Sequence, residues 1–438
     1  MIVNHQDLLS LADGFFGSIF AIEGISDAAT ILNGPTGCKG YIGEAVHDQY
    51  RRTKVYNEME YAEEFFFQQP RVPCTYLDDY DYVFGASEKL EYVFGRVADK
   101  GYNFIGVVNS PGASLIGDDL YRYVKYANLK VPSLIVENPA FTKLFETGWV
   151  STAKKIIETI DPAEYEVDQK CVNLVGLSIW QRYWDGSKAD LQNLLERCGI
   201  RVQSTLIAGS TVDEIAKMRK AYANVVVHHE LGSELADFFE QKYGQKKIQS
   251  PEGAPVGFDA TRAWLKEIGC VLGVDMKPAL DEVDRLAKRA AEKIYRFNIK
   301  TGLPRAATVG IAADASLAYP LLKWCRDYLG MTPVSVQVPD ERSYFGKKVY
   351  SYLREHNLET AWNAELDPES PPNVVLANDA IIMRTMAKEI IPASFDIEMP
   401  AKSVQEFLPR SLLGPTGALW ILEGVINGLW SLINDDVE

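Results

Sequence analysis

The stretch FIGVVNSPGASLIGDDL, residues 104–120, decides the fold. Its first half is a short run of apolar residues with no polar alternation. A run of that kind reads as a strand covered on both faces, the mark of a parallel sheet. Ser110, Pro111 and Gly112 end it in a loop, and helical periodicity resumes from about Asp118. The same order recurs along the chain. VPSLIVE (131–137) is a second strand; CVNLVGLS (171–178) opens a new set, followed by the helix DLQNLLERCG (190–199) and the strand IRVQSTLIA (200–208). ANVVVHHE (223–230) leads into the helix SELADFFEQKYG (233–244). RAATVGIAAD (305–314) opens a third set with a helix through LLKWCRDYLG, the strand PVSVQV (333–338) and NVVLAND (373–379). Strands alternating with helices give an α/β chain of three Rossmann-like (flavodoxin-like) parallel-sheet sandwiches around a central cavity. The expected domains are 1–165, 166–300 with a joint near 165, and 301–438 with a C-terminal helix. In such sheets ligands bind beyond the carboxyl ends of the strands, so the residues just after each strand carry the interest.

Composition narrows the function. The 438 residues are 47% hydrophobic and 24% charged, enough apolar material for large cores. A net charge of −15 argues against a nucleic-acid partner. The first twenty residues carry Asp7 and Asp13 and no basic segment, so no signal peptide is expected, and no run of 18 apolar residues suggests a membrane span. Six cysteines in so long a chain do not form a disulfide framework; the expected setting is the cytoplasm, where thiols stay reduced. Neither a P-loop nor a dinucleotide fingerprint follows any strand.

Two cysteines sit in loops of the first domain. Cys38 ends GPTGC within ILNGPTGCKG (31–40), and Cys74 lies in RVPCTYLDDYDYVFG before a strand-like YVFG. By local pattern alone they read equally as small buried residues and as metal ligands. Cys171, Cys198, Cys270 and Cys325 read as buried small residues. Two thiols do not complete a tetrahedral thiolate site, but a symmetric dimer supplies four.

GPTGC, then CTYLDDYDYVFG, then a strand running into LIGDD resembles component 1 of nitrogenase and its relatives, including the nitrogenase-like reductases of chlorophyll and coenzyme F430 synthesis. ENPAFTKLFETGW (137–149), VNLVG…DLQNLLERCGIRV and the closing FDIEMPAKSVQEFLPRSLLGPTGALWILEGVINGLW continue the resemblance in order along nearly the whole chain. In that family three cysteines per subunit hold an iron–sulfur cluster at the subunit interface. Cys38 and Cys74 fall on the first two positions, and Pro111 stands at the third. The resemblance therefore implies a [4Fe–4S] cluster bridging two subunits, with Gly37 in the turn that brings backbone N–H groups near the sulfurs. The implied partners are a second copy or a sister subunit, and an ATP-hydrolysing iron protein that delivers electrons.

The family's cofactor-anchoring Cys of the second domain and His of the third are missing here. His228 and His229 stand at or beside the first position, and EFLPRSLLGPTG contains no His. A nitrogenase-like reductase of a tetrapyrrole or another unsaturated molecule follows, not a standard dinitrogen reductase. His228 or His229 is the candidate to contact substrate, carry protons or hold an additional metal cofactor; the plain reading makes one a buried strand residue and the other a helix cap. Glu137 reads as cavity-facing or as a loop cap, Asp118 and Asp119 as helix caps, Arg51 and Arg52 as surface or anion contacts. Tyr76, Asp78, Asp79, Tyr80, Asp81 and Tyr82 read as a surface loop or as a segment flanking a cluster or docking face. A metallocluster-assembly scaffold and a redox-inactive binding protein are the alternatives to a reductase.

Overall fold

The computed structural model describes residues 12–49, 72–98, 100–127, 130–139, 142–367, 369–385, 393–399, 406 and 408–435. Arg51 and Arg52 lie outside the described residues. Every strand in the three sheets pairs in parallel. β1 (Ala28–Asn33), β2 (Phe104–Asn109) and β3 (Ser133–Val136) form one sheet in that order. β4 (Asp168–Val175), β5 (Arg201–Thr205), β6 (Ala221–Val226) and β7 (Lys246–Ile248) form a second, ordered β5-β4-β6-β7. β8 (Thr308–Ala312), β9 (Thr332–Gln337), β10 (Val374–Asn378) and β11 (Ala393–Glu398) form the third, ordered β11-β10-β8-β9. β1, β2 and β10 are buried along their whole length, as their unalternating apolar sequences require.

The first sheet is held to the rest by a tight helix crossing. The helix Gly14–Glu23 packs on the helix Phe145–Ile160. A Cβ added to Gly148 would stand 1.8 Å from the Gly14 carbonyl oxygen, and one added to Gly17 would stand 2.0 Å from that of Phe145. Only glycine permits backbones to approach so closely. Just before the crossing, Asp13 bridges Leu144 and the Gly14 N–H donates to the Lys143 carbonyl at 3.0 Å.

Two local readings are corrected. YVFG (82–85) is not a strand: Asp79–Phe84 is a short helix whose Asp78 cap accepts from the Tyr80 and Asp81 N–H groups, while Asp81 reaches back to the Asp78 N–H. That reciprocal capping outweighs the strand-favouring composition. Cys270 is exposed rather than buried, while Cys171 and Cys325 are buried and Cys198 is partly so.

The helix Gly414–Asp435 is the one described helix long and apolar enough to cross a membrane by length and composition. It packs on β11 and on the helices Gly257–Leu272 and Lys277–Thr301, burying Ile421, Val425 and Leu429. One face is therefore a core contact that reaches from the third sheet to helices of the second.

Gly148→Ala is expected to destabilise the chain by about 1–3 kcal/mol, because backbone rather than a flexible side chain meets the new methyl group. A urea midpoint within error of the parent would show that the crossing relaxes without cost.

Candidate functional site

The end of β1 builds the first site. After Asn33 and Gly34 the chain enters the helix Thr36–Gln49, which places Cys38 in its first turn, not at the tip of an isolated turn. Gly37 is exposed in the same turn, and a Cβ added there would meet nothing within 4 Å. The segment around Cys74 runs beside β1: Leu32 N–H donates to the Pro73 carbonyl at 2.8 Å, and Thr75 N–H to the Leu32 carbonyl at 3.1 Å. Val72 and Tyr76, on either side of Cys74, hold positive φ of 54° and 52°. Strained backbone of this kind persists only where its surroundings hold it.

A buried polar chain ties the carboxyl ends of the strands together. Thr75 Oγ1 donates to Asn33 Oδ1 (2.8 Å), Asn33 Nδ2 to Asn109 Oδ1 (2.9 Å), and Asn109 Nδ2 to the Glu137 carbonyl (3.3 Å). Ser114 also donates to that carbonyl at 2.6 Å, so Glu137 serves the loop through its backbone. Asp119 caps the following helix by accepting from Arg122 N–H, while Asp118 accepts from Ala86 N–H instead.

The Cys74 thiol is buried, donates to the Gly34 carbonyl at 3.1 Å and accepts from Tyr76 N–H at 3.4 Å. Burial pushes it up to about 11; the Tyr76 N–H and the buried Lys39 charge oppose that, while Cys38 adds to it. Cys38 is half-buried and is also raised, by burial and then by Asp13. The Tyr82 phenol lies beside both sulfurs and Ser110. Two thiols close enough to influence each other fit a metal by their donor chemistry, and its charge would convert them to thiolates. The donors in one chain are half of what a four-thiolate cluster takes. Pro111, partly exposed in the neighbouring loop, offers no donor. Around this site stand exposed apolar side chains, among them Phe84 at 71% and Leu115 at 89%, with Tyr80 packed 4.6 Å from the Phe84 ring.

The second site lies where the carboxyl ends of the three sheets converge. Two neighbouring cavities of about 90 and about 300 Å³ share Glu146, Asp314 and Pro339 in their walls. Glu146 sits in the first turn of Phe145–Ile160, Glu230 at the start of the helix His229–Tyr243, Asp314 just after β8 and Glu398 at the end of β11. Glu230 accepts from Ser316 N–H at 2.8 Å and from its hydroxyl, joining the second and third sheets. Glu398 accepts from Asp314 N–H at 3.1 Å, while the Asp314 side chain makes no cap to its own helix. Burial pushes Glu146 and Glu398 up to about 7, and Asp314 well above its ordinary value with Glu398, Glu230 and Glu146 adding to the effect.

The two histidines part company. His228 is 4% exposed, its Nδ1 meets no partner, and burial holds it down to about 4. It is a neutral interior ring at pH 7 and lies outside the cavity walls. His229 lines the larger cavity, 2.8 Å from the Gln249 amide through Nδ1 and edge-on to Phe345. Sequence reasoning missed the carboxylates, although Asp314 and Glu398 each stand at or just after the end of an apolar strand, which is the signal that marks such positions.

A family model described as nitrogenase component 1 type oxidoreductase matches residues 14–429. The chain belongs to that family. It is 21% identical to the nitrogenase molybdenum-iron protein beta chain of Methanococcus maripaludis, over 94% of this chain and 91% of that one. It is 27% identical, over 39% of its length, to a light-independent protochlorophyllide reductase subunit of Methylobacterium radiotolerans. The match spans about a third of that relative's length, 32%. The solved nitrogenase Cp1 has the same fold, with a TM-score of 0.73, 14% identity, and 95% and 92% of the two chains covered. The component 1 fold thus accounts for the three parallel sheets.

Raised carboxyl groups make stability depend on pH. Glu146 and Glu398 ionise near 4.5 when unfolded and near 7 when folded, so their contribution is fully present below about 4.5 and is lost as pH rises through about 7. Stability is expected to fall between pH 5 and 8, by an amount on the order of a few kcal/mol. Glu398→Gln should flatten that slope in urea titrations run across this range; an unchanged slope would place the proton uptake elsewhere.

Proposed function

We propose that the chain is the catalytic component of a nitrogenase-like reductase. Two copies, or one copy and a sister subunit, meet on the exposed apolar face beside Cys38 and Cys74, and the four thiols of a homodimer hold one [4Fe–4S] cluster. The cluster supplies one-electron transfer. An ATP-hydrolysing iron protein is the electron donor, and the expected compartment is the cytoplasm.

The observation that carries this reading is the pair of thiols, Cys38 and Cys74, close enough to influence each other at the carboxyl end of β1, with Tyr80, Val83, Phe84 and Leu115 exposed on the segments that follow. Apolar surface of that kind is what a subunit contact covers. Cys74 keeps its position through the Thr75–Asn33–Asn109 chain, and the Tyr76 N–H is already turned toward its sulfur. Substrate reduction is assigned to the cavity where the sheets converge. A cavity of about 300 Å³ suits a small unsaturated molecule better than a whole tetrapyrrole. His229, in its wall, is the candidate to deliver protons, and His228 supports the end of β6 from within the core.

Iron and acid-labile sulfide, measured per dimer after oxygen-free preparation, test the reading. About four of each are expected, and both should be lost in Cys38→Ala and in Cys74→Ala. An intact dimer with no iron in the parent protein would leave a redox-inactive binding protein; iron that forms only transiently and passes to another protein would point to a scaffold. In the loaded protein, His229→Ala should slow substrate reduction at least tenfold while cluster content holds, an effect in the usual range for a lost general acid. Equal turnover with and without the His229 ring would remove it from proton delivery.

A further inference from the structure

The cavity between the sheets has a chemical character that its place in the fold does not explain. Glu146, Glu230, Asp314 and Glu398 reach it from all three sheets, Asp340 and His229 add to its wall, and no Lys or Arg lines it among the described residues. Acid groups gathered at a junction normally find a cationic partner or a ring of donors. Glu230 is met by Ser316 and Glu398 by the Asp314 N–H, but none of the four forms an ion pair among the described residues. The carboxylates do not form a set of three able to hold a metal ion among the described residues.

Two further features point to a ligand that is organic. Gln181 lines the smaller cavity, is nine-tenths buried, and its Nε2 has no hydrogen-bond partner, although its Oε1 accepts from Ser178 N–H at 3.0 Å. A buried amide N–H₂ without a partner costs stability unless something accepts from it. Beside it the wall is aromatic: Trp180 stacks on Phe145 at 5.9 Å and 26°, and Phe20 meets the Trp180 ring edge-on at 4.9 Å. An aromatic face next to carboxyl groups that have no ion-pair partner is the chemistry that holds an organic cation.

We propose that this cavity binds a small organic cation of the ammonium or amidinium class, its charged head between Asp314 and Glu398, its body against Trp180 and Phe145, and an acceptor atom within reach of Gln181 Nε2. These residues line the smaller cavity, which shares Glu146 and Asp314 with the one assigned above to turnover, and the proposal rests on that assignment only for turnover; binding itself does not need the cluster. Burial by itself favours the neutral form of the two carboxyl groups. A bound cation replaces the solvation that burial removed, so the groups ionise and release protons as it enters. His229, Glu146, Glu230 and Asp340 are the other titratable groups facing this pair, and His229 is the one that can carry opposing charge.

The test uses three molecules of one shape: benzamidinium, benzamide and benzoate. Each is titrated calorimetrically into the full-length protein at pH 8 and at pH 6, with the released protons read from the buffer dependence of the heat. Benzamidinium is expected to bind at least tenfold more tightly than benzamide, with benzoate weaker still, and to lose about tenfold in affinity from pH 8 to pH 6 as protons compete for the carboxyl groups. Asp314→Asn and Glu398→Gln, checked for native circular dichroism, should each lower the affinity about tenfold or more, as the loss of a buried charge partner does. Benzamide or benzoate binding as tightly as benzamidinium would overturn the proposal, as would no binding of any of the three. Equal benzamidinium affinity in parent and both variants would show attraction to the acidic surface only, and would overturn it as well. Cys38→Ala should bind benzamidinium as the parent does. A chain that holds no iron yet binds the cation this way would defeat the reductase reading and leave the cation site standing.

Discussion

The crossing of Gly14–Glu23 over Phe145–Ile160 is the contact on which both sites depend. Its closeness comes from glycine on both helices, with Gly17 and Gly148 each lying against the other helix's backbone. On one side it leaves Asp13 next to Cys38, close enough to influence the thiol. On the other it fixes Leu144, Phe145 and Glu146 in the wall of the central cavity. Phe16 and Phe20 from the first helix then meet Phe145 and Trp180, so the same packing that joins the first sheet to the second builds the aromatic side of the chamber. A side chain larger than hydrogen at these positions would push the helices apart and shift both sites at once.

The two sites share one electrostatic logic. At Cys74, Glu146, Asp314 and Glu398 the largest influence is burial, which favours the neutral form of each acid. Interior acids of this kind contribute little to holding a fold together. Burial favours the neutral form of each, and a positive charge brought beside them would favour the ionised one. By contrast, Arg182 satisfies its acid partner inside the protein, with Nε 2.5 Å from Asp396 and its guanidinium 4.3 Å over the Tyr183 ring. That pair joins the loop after β4 to β11 and needs no ligand to complete it. The Arg182–Asp396 pair thus fastens two parts of the fold together, while Glu146, Asp314 and Glu398 lie where the sheets leave a cavity.

Much of the fold was legible in the chain itself. The unalternating runs FIGVVN, VNLV and VVLAN became fully buried parallel strands because they offer apolar side chains to both faces. Cys38 and Cys74 stood out because each sits in a Pro- and Gly-bounded segment. YVFG misled because composition favoured a strand, while the deciding signal was the Asp78–Asp81 spacing of a reciprocal cap. Cys270 misled because its apolar neighbours belong to one face of Gly257–Leu272 and the thiol to the other. His228 and His229, adjacent in sequence, separated into core and cavity because a strand end and a helix start point successive side chains in different directions.

The sequence by itself determined the three parallel sheets, the strand-end location of anything chemical, and the number of thiols the chain can offer, since these follow from periodicity and residue identity. Only the tertiary structure decided that Glu146, Glu230, Asp314 and Glu398 share one chamber. Asp314 and Glu398 come from the third sheet, Glu146 and Glu230 follow the first and second, all are far apart in the chain, and no local pattern encodes the convergence. Their ionisation is likewise a property of the assembled fold, because the water that each carboxyl group loses is displaced by residues from other sheets.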